Sequence, residues 1–364
     1  MQKVLGVHGL RAVAAVGIVG YHLAYVPHRR PDLPPVIANM VPHFINFVPL
    51  FFVISAFALV QSYYSRPHGE GWVRDYMVRR VFRIGPLFWS MLVFYAIIFH
   101  RGLSIAFLAN VFFVFNFFPA LSYSLVWAGW SIGVEMPFYA CLPMVVKRIT
   151  TLQAASILMV ILLFVSLASR VILERLPTPG LFALVAFTSN VGIFAVGVAA
   201  FFTVRSFRGK AWLWTAFRLA AAIYLVCLAA RLIPFPASRS HWDELPTSLA
   251  LGALCAAEAG SASWIMSRPF LHWIADRSFS IYLIHPLVIF YSDRYGLYDW
   301  VRNVLAFAGP WSYIAMLALT LAIVISLAAV TYALIEVPGQ KLGNIVINAL
   351  NRPSGAAVPV ASES

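Results

Sequence analysis

The chain has 364 residues, of which 62% are hydrophobic and only 11% are charged. Soluble domains carry about a quarter charged residues, so this composition excludes a soluble globular protein and predicts an all-α, polytopic membrane protein. The formal net charge is +13, but most of the lysines and arginines lie in short segments between apolar runs. Orientation in a membrane explains that distribution, so no nucleic-acid partner is expected.

Apolar runs of about 20 residues predict about ten membrane-spanning helices. A further run, residues 104–118, is shorter and aromatic, and we interpret it as one short re-entrant or packed helix. The ten predicted spans lie near residues 6–26, 44–64, 84–100, 125–146, 152–173, 181–203, 212–231, 246–266, 278–293 and 312–335.

The basic residues between the spans predict that both termini are cytoplasmic, because most of them then lie on the cytoplasmic side. Making residues 104–118 a full span would move Lys147 and Arg148 to the outside. No segment outside the spans is long enough to bury a core, so residues 1–343 are predicted to form a single transmembrane domain. Residues 344–364 end in a stretch rich in Ser, Ala and Pro, which predicts a short, disordered cytoplasmic tail.

The first span carries ionisable residues inside its apolar run. Arg11 and His22 are separated by ten residues, which on an α-helix places both side chains on one face, about 16 Å apart along the axis. An arginine buried in hydrocarbon is costly unless it faces a polar interior, so it marks function more often than packing. We therefore interpret Arg11 and His22 as the chemical centre of the protein. The sequence indicates no role for His8, which lies in the same span.

A basic segment, RDYMVRRVFRIGP, precedes the third span and contains Arg74, Arg79, Arg80 and Arg83. Arg80 and Arg83 are three residues apart and therefore share one helical face. One interpretation is a cluster of cytoplasmic charges that contacts lipid phosphates. The other is a phosphate-binding fork, because a guanidinium group matches phosphate bidentately. A ligand with several phosphates, such as coenzyme A, would suit these arginines.

Two later spans place polar residues in apolar surroundings. Glu135, in VWAGWSIGVEMPFYACLP, must pair or line a cavity. Either Arg11 or His22 is a candidate partner, and an ion pair that only holds helices together is the alternative. In SFSIYLIHP, Tyr282 and His285 share a helical face and are candidate substrate-binding residues. His285 is equally well explained as a core histidine.

The order of these motifs is typical of one family. The segments GLRAVAAVGIVGYH, LFFVISAF, RRVFRIGPLFW, WSIGVEMPFY, SFSIYLIHP and IEVP resemble the motifs of the acyltransferase-3 family over about residues 5–340. Members are integral membrane O-acyltransferases, mostly bacterial, that modify surface polysaccharides, lipopolysaccharide, Nod factors, peptidoglycan or macrolides. The resemblance implies a multi-pass protein of the bacterial inner membrane. One departure concerns the first helix, where the family usually has Asp before Gly-Leu-Arg and this chain has His8.

The resemblance implies transfer of an acyl group, most often acetyl, from cytoplasmic acyl-CoA to a hydroxyl group of a glycan or glycolipid. It implies that Arg11 and His22 form the essential first-helix pair, and that Arg80, Arg83 and Glu135 match further family motifs. In this hypothesis the arginine fork holds the donor phosphates. His22 is the general base or carries a covalent acyl group. Glu135 orients His22 or neutralises Arg11.

No permanently bound cofactor is expected, since acyl-CoA acts as a donor substrate. No metal site is expected either, because Cys141, Cys227 and Cys255 lie within apolar spans without metal-ligand spacing. The expected partners are acyl-CoA, the acceptor and membrane lipids. The alternative from another functional class is a transporter or flippase of a lipid-linked sugar, because buried Arg, His and Glu also suit transport pathways.

Overall fold

The computed structural model of the protein describes residues 4–100, 102–178, 182–230, 232 and 244–351. Over these ranges the chain is helical and contains no strand. The first helices are α1 (Leu5–Tyr25), α2 (Pro35–Met40), α3 (Phe47–Tyr64), α4 (Trp72–Ile98), α5 (Ile105–Val111), α6 (Trp130–Arg148), α7 (Leu152–Arg175) and α8 (Phe182–Val185). They are followed by α9 (Phe187–Ser206), α10 (Ala211–Ala229), α11 (Glu244–Gly260), α12 (Pro269–Asp276), α13 (Ser278–Arg294), α14 (Leu297–Val304), α15 (Ser312–Thr331) and α16 (Val337–Leu350).

Each of the ten predicted spans contains a helix, and the protein is an all-α polytopic membrane protein. In the described part of the chain, seven helical stretches are long and apolar enough to cross a membrane. They are Leu5–Tyr25, Pro35–Tyr64, Trp72–Ile98, Leu152–Arg175, Phe182–Ser206, Ala211–Ala229 and Ala306–Leu350. The other three predicted spans correspond to α6, α11 and α13, which have 19, 17 and 17 residues. The number ten therefore stays a prediction.

The aromatic run at residues 104–118 forms a short packed helix, as expected. Helix α5 has seven residues and spans only about 10 Å, far less than the ~30 Å hydrocarbon layer. The indole nitrogen of Trp89 in α4 donates a hydrogen bond of 3.0 Å to the carbonyl oxygen of Val111. This bond ties the end of α5 to a long neighbouring helix.

Helix α4 begins earlier than the sequence predicts. The basic segment before the predicted third span is helical from Trp72, so a single 27-residue helix carries Arg79, Arg80 and Arg83 into the bundle. Arginine is a good helix former, and an apolar count ends a span wherever charges begin. The helix therefore begins twelve residues before the predicted third span, which starts near residue 84.

The chain is also helical across the predicted boundary between residues 343 and 344. One π-helical turn, Tyr332–Glu336, joins α15 to α16, and α16 packs against α4. Helix α16 continues to Leu350, while residues 352–364 of the predicted tail lie outside the described residues. The first half of α16 thus lies beside the helix that carries Arg79, Arg80 and Arg83.

Helix α1 lies in the interior of the bundle and packs against α3, α11, α12 and α13. Its glycines permit this close packing, since a Cβ on Gly6 would lie 2.2 Å from the carbonyl oxygen of Glu258 in α11. Small residues allow helix backbones to approach in membrane proteins. The polar side chains of α1 are consequently held against several other helices at once.

Candidate functional site

A cavity of about 600 Å³ opens between α1, α3, α4, α6, α13 and α16, and we call it the arginine cavity. Four of the predicted site residues, Arg11, Arg80, Arg83 and Glu135, line it. They come from three helices that are far apart in the sequence. The fold therefore brings these residues to one site.

The arginines of α4 make the cavity strongly positive. Arg80 and Arg83 line it together with Arg79 and, from the segment before α4, Arg66. The Arg80 guanidinium lies 5.8 Å from the ring centroid of Tyr76 and 6.0 Å from that of Tyr139. Such ring contacts hold a guanidinium in place while its N–H groups stay free for a ligand.

Arg74, the first arginine of the predicted cluster, does not line the cavity. Its guanidinium donates to the carboxylate of Asp75 at 3.1 Å and to the side-chain oxygen of Asn351. The Asn351 amide in turn donates to Asp75 at 3.0 Å. Arg74 is thus engaged in a separate polar group at the end of α16.

Arg11 and Glu135 share the cavity without forming a direct ion pair. Among the described residues, neither is part of a salt bridge, and the Nε atom of Arg11 is buried without a hydrogen-bond partner. Glu135 lies against Ser55 and Tyr139, whose hydroxyl groups are 3.0 Å apart. A buried cation with unused donors is unfavourable. The arrangement is therefore suited to an anionic ligand.

His22 lies away from Glu135 and contacts His285, and we call these two residues the histidine pair. The Nδ1 atom of His22 is 3.0 Å from Nε2 of His285 and also 3.0 Å from the carbonyl oxygen of Ile18. Nδ1 of His285 lies 3.2 Å from the carbonyl oxygen of Ile281.

These contacts define the tautomers of the histidine pair. A carbonyl oxygen only accepts hydrogen bonds, so Nδ1 of each ring carries the hydrogen. Nδ1 of His22 then shares its single hydrogen between the carbonyl oxygen of Ile18 and Nε2 of His285, and Nε2 of His22 is left with a lone pair. A neutral imidazole in this tautomer has the form that a general base needs.

Tyr282 lies between the two groups of residues. It lines a smaller cavity of about 50 Å³, the inner pocket, which shares Arg11, Phe51, Glu135 and Phe279 with the arginine cavity. The Tyr282 ring centroid is 5.9 Å from that of His285. Neither His22 nor His285 lines either cavity, so Tyr282 separates the inner pocket from the histidine pair.

Sequence comparison identifies the protein family. The profile of the family described as an acyltransferase domain, acyltransferase-3, matches residues 4–329. The chain belongs to the acyltransferase-3 family. Nodulation protein 10 of Rhizobium leguminosarum bv. viciae is 27% identical over 326 residues, covering 81% of this chain and 82% of that protein. No solved structure matches the chain. The family and the apolar helices together make this protein a membrane acyltransferase.

His8 stands where members of the acyltransferase-3 family usually have an aspartate, and the structure shows what surrounds it. The Nε2 atom of His8 lies 3.1 Å from the Asp276 carboxylate at the end of α12. His8 and Asp276 also line the arginine cavity. A carboxylate is therefore present beside this position, contributed by a distant part of the chain. No signal in the sequence linked the two residues.

Sequence reasoning also missed the contribution of the last helices of this acyltransferase. Gln340 and Asn344 of α16, the helix that packs against α4, line the arginine cavity. Glu336 in the π-helical turn is buried, and one of its oxygens accepts a hydrogen bond from Ser280 while the other has no partner. The IEVP motif indicated this turn. The sequence did not indicate that the helix after it lines the cavity, and the predicted tail began at residue 344, within that helix. Among the described residues, no group of three or more metal-ligating side chains is placed to hold a metal ion.

Proposed function

We propose that this protein transfers an acyl group, most often acetyl, from acyl-CoA to a hydroxyl group of a glycan or glycolipid. The observation that carries the proposal is the arginine cavity, which runs from the arginines of α4 past Arg11 and Glu135 to the inner pocket. Coenzyme A has the matching chemistry, with a pyrophosphate and a 3′-phosphate at one end and a thioester at the other.

Arg80 and Arg83 bind the phosphates of the donor in this proposal, and Arg79 adds positive charge at the cavity. Charge-assisted, bidentate hydrogen bonds between guanidinium and phosphate supply both affinity and orientation. Gln340 and Asn344 of the neighbouring helix α16 offer amide groups to the adenosine part of the donor. The thioester arm then extends toward Arg11 and the inner pocket.

The chemical step needs a base beside the acceptor, and His22 fills that role. Its Nε2 atom takes the proton of the acceptor hydroxyl while the hydroxyl oxygen forms a bond to the acyl carbonyl carbon. The carbon–sulfur bond breaks, and the coenzyme A thiolate leaves and takes up a proton. His285 is a positioning residue, because its Nε2 accepts from Nδ1 of His22 and, together with the carbonyl oxygen of Ile18, keeps the His22 lone pair on Nε2.

Arg11 and Tyr282 connect the two ends of the site. Arg11 has an unused Nε donor that can stabilise negative charge as it develops on the thioester oxygen, and Glu135 offsets the charge of Arg11 while the cavity is empty. Because Tyr282 stands between the inner pocket and the histidine pair, its side chain has to turn aside when both substrates are bound. Tyr282 therefore remains a proposed substrate-binding residue, whereas His285, a candidate for the same role from the sequence, is proposed to act through His22.

The protein is proposed to lie in the bacterial inner membrane with both termini cytoplasmic. This orientation puts the arginine cavity on the side where acyl-CoA is present, and lets the acceptor approach the histidine pair from the outside. Membrane lipids surround the bundle. Donor and acceptor then enter from opposite ends and meet near Tyr282.

The test uses purified protein in lipid nanodiscs with radiolabelled acetyl-CoA and a membrane extract that supplies acceptors. We expect loss of the thioester and a label on a glycan or glycolipid. A transporter or flippase of a lipid-linked sugar would leave acetyl-CoA intact and would move labelled lipid-linked sugar across a vesicle membrane. The family assignment favours the first outcome, and intact acetyl-CoA with every extract would contradict the proposal.

A further inference from the structure

The inner pocket has features that the acyl-transfer proposal does not use. Its walls are contributed by α1, α3, α6 and α13. The fully buried apolar part of the wall consists of Val48, Phe52 and Ile132, which are 3%, 1% and 1% exposed. Apolar walls of this kind surround small ligands in proteins, with a few polar groups that fix orientation.

One polar group in the pocket has no partner. The hydroxyl group of Ser278 is 1% exposed and makes no hydrogen bond within the described structure. The Tyr282 hydroxyl, by contrast, donates to the carbonyl oxygen of Ala128 and accepts from Ser131, both at 2.9 Å. Buried hydroxyl groups almost always have a partner. The Ser278 hydroxyl is therefore available to donate to an oxygen atom in the pocket.

We propose that the inner pocket binds the acyl group of the donor, that Ser278 donates a hydrogen bond to the acyl carbonyl oxygen, and that the pocket selects acetyl over longer chains. This inference rests on the proposed function. A cavity of about 150 Å³ holds benzene, which is about 25 Å³ for each heavy atom. The pocket of about 50 Å³ therefore matches the two or three heavy atoms of an acetyl group, and a butyryl chain exceeds that volume.

The back of the pocket is too well packed to expand at low cost. The ring of Phe52 is stacked on Phe194 with centroids 4.7 Å apart, and Phe194 is stacked on Phe138 at 4.1 Å. Ile132 and Val48 belong to the same buried core cluster as these rings. Forcing extra methylene groups into a packed core strains its side chains, so selection by size follows.

The first experiment compares acetyl-, propionyl- and butyryl-CoA as donors for the wild type and for two enlarged pockets, Ile132→Ala and Val48→Ala. The wild type is expected to prefer acetyl-CoA, since one methylene group at a tight apolar wall changes kcat/KM by about tenfold or more. Each enlarged pocket is expected to raise the ratio of butyryl to acetyl transfer by about tenfold. Ile193→Ala removes an equally buried isoleucine that lines neither cavity, and it should leave the ratio unchanged.

The second experiment uses Ser278→Ala. Removing a buried hydroxyl that lacks a partner should keep or raise thermal stability in nanodiscs, while losing a donor to the carbonyl oxygen lowers kcat about hundredfold. Ser166→Ala is the matched control, because Ser166 is buried and accepts from the main-chain nitrogen of Gly192. This control should lose stability and keep its kcat.

The outcomes separate this inference from the function on which it rests. A wild type that uses acetyl- and butyryl-CoA equally well would disprove the acyl pocket and leave acyl transfer standing. Ser278→Ala with unchanged kcat would disprove the role of Ser278. If an enlarged variant fails to fold, the affinities for acetyl-CoA and for free CoA are measured in the wild type and in Ser278→Ala. An acyl pocket predicts that the wild type binds acetyl-CoA more tightly than free CoA and that Ser278→Ala loses part of this difference. An unchanged difference would contradict the acyl pocket. A wild type that never consumes any acyl-CoA would contradict the proposed function itself.

Discussion

The arginine cavity and the histidine pair differ in how far their polar groups are satisfied. In the cavity, Arg11 and Arg80 each have a buried Nε atom without a hydrogen-bond partner in the described structure. In the pair, His285 is fully buried and both of its ring nitrogens are engaged. One region is open and positively charged, and the other is closed and internally hydrogen-bonded.

The arginine cavity and the histidine pair both include a side chain of α1, but the difference in hydrogen bonding indicates that they have different functions. Unused donors around a large cavity are costly unless a ligand takes them, so the cavity is suited to binding. A hydrogen-bonded pair with a defined tautomer is already arranged and has nothing to reorganise during a reaction, so it is suited to chemistry. Substitutions in the cavity should therefore act mainly on KM, and substitutions in the pair mainly on kcat.

His22→Ala should give the largest effect. Removing a general base lowers kcat by about a thousandfold, and the KM for acetyl-CoA should stay within about twofold because His22 does not line the cavity. The measurement is the initial rate of label transfer from acetyl-CoA in nanodiscs, with the amount of inserted protein matched between samples. Wild-type kcat in this variant would contradict the assignment of His22.

The double substitution Arg80→Ala and Arg83→Ala should give the next largest effect, which falls on KM and not on kcat. Loss of two charge-assisted contacts to phosphate raises the KM for acetyl-CoA by about hundredfold and changes kcat much less. Replacing both by lysine should recover part of the affinity, because lysine keeps the charge and loses the bidentate geometry.

Arg74→Ala is the matched control for the arginine pair. It removes an arginine from the same helix that is bonded to Asp75 and Asn351 away from the cavity. Its KM for acetyl-CoA should stay close to that of the wild type. Equal effects of the control and of the double substitution would indicate a general electrostatic role for α4 and not a phosphate fork.

The sequence predicted the helices well because long apolar runs define them, but it could not predict which polar groups meet. Arg11 and His22 were correctly placed in one helix, yet the partner of His22 lies 263 residues away in α13. Glu135 was expected beside Arg11 or His22, and it lies on the cavity without a direct ion pair. Pairing between spans depends on how helices rotate against one another, and hydrophobicity alone does not fix that rotation.

Substitution of His285 should lower kcat less than loss of His22 does. His285→Leu removes one of the two acceptors for Nδ1 of His22 and leaves the carbonyl oxygen of Ile18, and one hydrogen bond that fixes a base changes the rate by about tenfold. His285→Gln offers an amide oxygen to the same hydrogen and should recover part of that loss. The KM for acetyl-CoA should not change in either variant. A change confined to KM would show that His285 acts on substrate binding alone.

His8→Asp should give the smallest effect, a small decrease in Tm. It tests whether His8 and Asp276 interact at the arginine cavity. The substitution restores the residue usual in the family, but it puts a second carboxylate beside Asp276, which lies 3.1 Å from His8 and is 33% exposed at the side chain. Like charges at a partly exposed site cost about 1 kcal/mol, so Tm in nanodiscs should fall by roughly 2 °C.

The Tm of the uncharged variant His8→Asn should fall less than that of His8→Asp. The double variant His8→Asp with Asp276→Asn should recover the Tm that His8→Asp loses. A double-mutant cycle on Tm isolates this coupling from the other contacts of each residue. If His8→Asp is as stable as the wild type, the two side chains do not interact in the protein. If it is less stable and the double variant does not recover, the loss arises from contacts of His8 other than Asp276.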